Sequence, residues 1–149
     1  MEAVGLHRKG DVSLDQIIDY MRNLPTYREA GALACFVGVV REDTIGDSDS
    51  KVTHLEYEAY FDVALKRMEK IRADAKKRNG IVEVAIHHII DSLEVGEPSI
   101  FVVVLAKHRQ EAFPALSETV DRVKKEVPIW KKEYTTKGSH WVSTEAHES

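Results

Sequence analysis

Arg41, His108, Arg109, Lys124 and Lys131 are the side chains of this chain best suited to chemistry on an anion. Arginine presents a planar fork of donors that matches phosphate or carboxylate, and histidine a donor that titrates near neutral pH. Lys124 and Lys131 are separated by a single proline, Pro128, and a few residues. Lysines held close repel one another, which lowers the proton affinity of at least one and makes a neutral amine available near pH 7. Meeting in one cavity, the five groups would form an anion pocket with a base inside it. Each also has a plainer reading. Lysines in a last helical turn complement the helix dipole and stay solvated, and a His-Arg pair after a buried strand is an ordinary polar exit.

The stretch 101–133 must position most of these groups: an apolar strand (FVVVLA), a basic turn (KHR), a helix, Pro128 and a basic strand (IWKKE). The pattern predicts a helix from about Pro114 to Val127, with Leu116, Val120, Val123 and Val127 on one stripe. At about 100° per residue, Lys124 lies at the flank of that stripe and Lys125 points away from it. Pro128 turns the chain, which brings Lys131 back beside the helix end.

Upstream, Ser13 and Gln16 form a capping-box pattern ahead of Leu14, Ile17, Ile18 and Met21, and Pro25 ends that helix. Residues 31–40 (GALACFVGVV) are apolar on both alternating sets, which predicts a central strand covered on both faces, ending at Arg41. Cys35 within it reads as an inert core residue. Residues 42–51 read as an acidic mobile surface loop, and 52–60 as a strand. A helix over 61–78 carries Phe61, Ala64, Leu65, Met68, Ile71, Arg72 and Ala75 on one stripe and stops at Asn79-Gly80. Strands are expected at 81–90 and 99–106, joined through Gly96 and Pro98, and a final hairpin at 129–134 and 139–143 precedes a polar tail at 144–149. His87 and His88 are neighbours on a strand, so they face opposite sides and cannot share a metal.

The whole chain of 149 residues reads as a single domain of the α+β class, interleaving strands and helices with antiparallel neighbours. One cysteine excludes an internal disulfide framework. No apolar run is long enough for a membrane helix, so the expected setting is the cytoplasm. A net charge of -4 speaks against general nucleic-acid affinity, and no phosphate-cradling glycine loop or dinucleotide fingerprint is present.

In the segments 31–43 (GALACFVGVVRED), 55–60 (LEYEAY), 87–113 (HHIIDSLEVGEPSIFVVVLAKHRQEAF) and 121–133 (DRVKKEVPIWKKE), followed by Trp141, the sequence resembles the catalytic, large subunit of molybdopterin synthase. The resemblance implies an α/β hammerhead-like fold with an added antiparallel β subdomain. It also implies sulfur transfer to cyclic pyranopterin monophosphate, forming the dithiolene of molybdopterin during molybdenum cofactor biosynthesis. The sulfur donor it implies is the C-terminal Gly-Gly thiocarboxylate of a small ubiquitin-like carrier, in a heterotetramer built on a dimer of large subunits. Carried onto this chain, Lys124 and Lys131 match the catalytic lysines, their individual roles exchangeable, and His108 and Arg109 the phosphate and pterin contacts. Val39, Val40 and Arg41 match the strand-end substrate contact, and Lys132 and Glu133 a further substrate-binding segment. The chain departs at Val39, where many of the family carry lysine. No metal or cofactor is called for, because sulfur is the nucleophile and the acyl group of the carrier the leaving function.

Two other readings use the same residues. One is a non-catalytic dimeric module that binds an anionic ligand through the cationic pocket. The other is an RNA-binding surface over 124–137, with Trp130 and Tyr134 as stacking platforms.

Overall fold

The computed structural model describes residues 1–43 and 51–142. Most of the loop expected over 42–51 and the tail expected over 144–149 lie outside the described residues. The elements run β1 (Val4–His7), α1 (Leu14–Arg22), a short 3-10 helix (Pro25–Glu29), β2 (Ala32–Val39), β3 (Val52–Ala59), α2 (Phe61–Lys76), β4 (Ile81–Ile89), β5 (Ser92–Glu94), β6 (Pro98–Ala106), α3 (Arg109–Glu126), β7 (Ile129–Thr135) and β8 (Gly138–Val142). They build an α+β fold with two four-stranded sheets, β1-β4-β6-β2 and β5-β3-β7-β8. Strand β1 runs parallel to β4; every other pairing is antiparallel.

The β-rich runs β4 and β6 lie at the centre of the first sheet because they are buried on both faces. Helices α2 and α3 cover one face, packing Met68, Ile71, Val120 and Val123 on Val84, Ile86, Val102 and Val104. The other face packs on Ile17 and Met21 of α1 and on Leu55 and Leu93 of the second sheet. Helix α1 starts as its sequence dictates: Ser13 and Gln16 cap each other reciprocally. Helix α2 buries Ala64, Met68, Ile71 and Ala75. Full burial of a side chain such as Met68 is worth roughly 1.5–3 kcal/mol, so this face, more than propensity, holds the helix in place.

Four expectations are corrected. Strand β2 is the edge of its sheet, not a central strand, since among the described residues no further strand pairs beyond it. Its alternating residues do reach both cores, but Cys35 and Val39 are exposed, so Cys35 is no core residue. Phe61, at the first turn of α2, lies outside the buried stripe and is exposed. Helix α3 begins five residues before Pro114, with His108 as N-cap; the proline sits inside the second turn, where it removes one backbone donor and is tolerated. The connection after β4 contains the short β5, which leaves the first sheet to pair with β3 in the second.

Candidate active site

A cavity of about 340 Å³ opens where the two sheets meet, within the usual range for small-molecule sites. The end of β2 forms one wall. The β2–β6 register slips between Gly38 and Val39, a bulge that re-aims Val39, Val40 and Arg41 along the pocket rim. Val40 is held there by two backbone bonds, its N–H to Glu97 and its carbonyl from Gly96. Gly38 is required for this approach: a Cβ there would stand 2.5 Å from Ile100 Cγ2.

Helix α3 forms the opposite wall with Val123, Lys124 and Val127. Val123 and Val127 are buried, Lys124 is half-buried and Lys125 is exposed, which is the arrangement expected from the helical period. The helix ends at Val127, whose backbone is extended ahead of Pro128, and β7 returns alongside it. Alternation along β7 then directs Ile129, Lys131 and Glu133 into the cavity. Lys132 falls on the other face. Its ammonium lies 5.4 Å from the ring centroid of Tyr134 and 5.6 Å from that of Trp141, so this member of the expected substrate segment is outside the pocket. Glu133 is fully buried, with His140 Nε2 3.3 Å from its carboxylate.

Arg41, Lys124 and Lys131 thus converge. Burial pushes the Lys131 ammonium down to about 8, and the charge of Lys124 pushes the same way. Lys124 is lowered too, first by burial and then by Arg41. The direction is the one expected from crowded lysines, but removal from water is the larger cause.

His108 and Arg109 do not reach this cavity within the chain. They stand at the N-terminus of α3, and Lys124 lies fifteen residues on, about 22 Å along the helix axis. The reason is topological. Arg41 and His108 each follow an apolar strand, but β2 and β6 are antiparallel, so their exits lie at opposite ends of the sheet. At that far end His108 Nδ1 lies 2.6 Å from Glu111 Oε1, and both His108 and Arg109 are exposed.

Four polar groups in the pocket were not singled out from sequence: Asp43, His88, Tyr57 and Ser99. His88 and His87 do face opposite sides of β4. His87 meets His7 of β1, with His7 Nε2 2.7 Å from His87 Nδ1, whereas His88 lines the cavity, edge-on to Tyr57. Among the described residues, no group of His, Cys, Asp or Glu is placed to hold a metal ion.

A pocket that gathers cations beside aliphatic groups, with a weakened ammonium among them, is suited to chemistry on an anionic small molecule. Comparison with known proteins gives it a family. The family described as MoaE protein matches residues 7–126. Over 117 residues the chain is 49% identical to the molybdopterin synthase catalytic subunit of Pyrococcus abyssi, covering 78% of this chain and 77% of that protein. It is 38% identical over 115 residues to the same subunit of Bacillus subtilis, covering 77% and 71%. The crystal structure of molybdopterin synthase from Staphylococcus aureus matches with a TM-score of 0.84 at 31% identity, covering 96% of this chain and 98% of that one. The chain belongs to the MoaE family of molybdopterin synthase catalytic subunits, and is an enzyme of molybdopterin synthesis.

Proposed function

We propose that the pocket binds cyclic pyranopterin monophosphate and builds the dithiolene of molybdopterin on it, taking sulfur from the thiocarboxylated C-terminal Gly-Gly of a small ubiquitin-like carrier. The observation that carries this reading is the convergence of Arg41, Lys124 and Lys131 in one buried cavity. A phosphorylated substrate needs fixed cations, and an anionic acyl tail needs a positive entrance. A lysine at about 8 is neutral in roughly one molecule in ten at pH 7, several hundred times more often than an ordinary lysine. Lys131 therefore serves as the proton-transfer group while the carrier sulfur bonds to a pterin carbon and the oxygen it displaces leaves. Water then cleaves the acyl–sulfur bond, which returns the carrier as a carboxylate and leaves the sulfur on the pterin. Lys124 positions the acyl tail, Val39 and Val40 shape the rim that carries Arg41, and Glu133 fixes the cationic wall; Lys132 is left out of the pocket.

His108 and Arg109 join the site from a second copy of the chain. The distance between the two ends of α3 supports this, as does the exposure of both side chains at a helix N-terminus, a favourable place for phosphate. The assembly is then a dimer of these chains with a carrier at each pocket, working in the cytoplasm. Among the described residues, no helix is long and apolar enough to cross a membrane.

The test is turnover with thiocarboxylated carrier and the pyranopterin. Dithiolene product is expected, and a folded Lys131→Ala variant should lose it; ligand binding without sulfur transfer would leave only a binding module. Lys131→Ala and Arg109→Ala should each be inactive alone. Mixed and re-associated, they should recover roughly a quarter of wild-type activity, since half of the dimers are mixed and each has one intact site. No recovery would refute the shared pocket.

A further inference from the structure

We infer that His88 is a substrate-contacting residue whose Nε2 is the neutral hydrogen-bond acceptor of the pocket, taking an N–H or O–H of the bound pyranopterin. The inference rests on the function proposed above and adds to it a recognition element.

The geometry begins with the imidazole. His88 is 7% exposed and lines the cavity from the centre of β4. Its Nδ1 is 2.8 Å from the carbonyl oxygen of Ile89. A carbonyl can only accept, so Nδ1 carries the proton and Nε2 the lone pair. Among the described residues Nε2 has no hydrogen-bond partner. Because His88 lines the cavity, that lone pair is available to a donor on a ligand.

The neighbours of His88 keep it in this form. Lys131 of β7 and Lys124 of α3 face it as positive charges, while Tyr57 of β3 stands edge-on at 5.0 Å. Burial, reinforced by the two lysines, pushes the imidazole down to about 4, so it is neutral at physiological pH. The cations that share the pocket, Arg41, Lys124 and Lys131, are donors when charged and can recognise only acceptors on a ligand. The hydroxyl of Ser99 is directed to the Gly38 carbonyl, and the phenol of Tyr57 is engaged by Ser99. A pterin carries an exocyclic amine and ring N–H groups, which need acceptors; the carboxylates of Asp43 and Glu133 line the same pocket, and His88 adds an uncharged acceptor between the cations. His88 thereby helps distinguish a pterin from a simple phosphorylated ligand.

The test uses the full chain with its carrier. His88→Phe keeps a flat ring and removes the acceptor; His88→Gln keeps a neutral side chain with an acceptor. At pH 7, His88→Phe should raise the Kd and KM for cyclic pyranopterin monophosphate about tenfold or more, with His88→Gln between it and wild type. Inorganic phosphate should bind all three equally. An unchanged Kd in His88→Phe, with wild type active, overturns the inference and leaves the proposed function standing; a wild type that neither binds nor converts the pyranopterin overturns both. Should His88→Phe fail to fold, nitrogen-15 NMR of the wild type decides. The Nε2 resonance should move upfield when the pyranopterin saturates the pocket, and an unmoved resonance refutes the contact.

Discussion

Replacing Lys131 by methionine should abolish turnover and make the protein more stable. In the unfolded chain this lysine binds its proton with the ordinary value of 10.5, and in the folded chain at about 8. The folded state therefore holds fewer protons between those values, and stability rises with pH through that window. Below pH 8 the full penalty is present, roughly 3 kcal/mol from the difference between the two values. Methionine keeps the unbranched stem and removes the charge, so the variant escapes that penalty. At the usual response for a chain of this size, the gain at pH 7 corresponds to a rise of roughly 6–12 °C in Tm. Thermal and urea unfolding of wild type and Lys131→Met at pH 6, 7, 9 and 10 would measure it. The gap should be constant below pH 8 and shrink toward zero as pH approaches 10.5. A gap that does not change with pH, or a variant less stable than wild type at pH 7, would refute the account of Lys131 as a lysine held in an unfavourable place for its chemistry.

Adjacent lysines on α3 should separate cleanly: Lys124→Ala is expected to lower kcat/KM by about a hundredfold or more, while Lys125→Ala, pointing to water, stays within about twofold in the same assay. Gly38→Ala should cost about 1–3 kcal/mol in urea unfolding and raise KM, because its methyl would press on Ile100 and displace the bulge that carries Arg41. Away from the pocket, Glu83 is buried between Arg72 and Tyr20, accepting from both. Glu83→Ala should destabilise the fold by about 1–3 kcal/mol by removing the buried acceptor of Arg72 and Tyr20, although Arg72 keeps Glu69 and the Val84 carbonyl, with kcat unchanged where the variant remains folded.

The sequence allowed local geometry to be read and left sheet order hidden. The reciprocal cap of Ser13 and Gln16 and the opposed directions of Lys124 and Lys125 depend on residues a few positions apart, and both appear as expected. The turn at Pro128 that returns Lys131 beside Lys124 is equally local. Strand order is a relation between distant segments. An apolar run with both faces covered reads the same at an edge as at a centre, which is why Cys35 was misplaced. The same gap hid the direction of β2 against β6 and with it the separation of Arg41 from His108. Pro114 suggested a helix start because proline is common there, yet the helix begins five residues earlier, at Arg109, with the polar His108 as its N-cap. His88 was legible only as half of a pair of histidines on opposite faces; which face met the cavity depended on β3 and β7 packing across it.

Because β7 places Lys131 and Glu133 on one side and Lys132 and Tyr134 on the other, the strand works like a key cut on one edge. Inserting one residue between Pro128 and Lys131 would rotate the cut edge outward, delivering Trp130 and Lys132 to the cavity and sending Lys131 to solvent, with the backbone ladder still able to form. Extra residues at the hairpin tip, between Thr135 and Gly138, would leave the orientation of the stem intact. Length variation is thus tolerable at one end of this hairpin and silencing at the other, although both changes add the same mass to the chain.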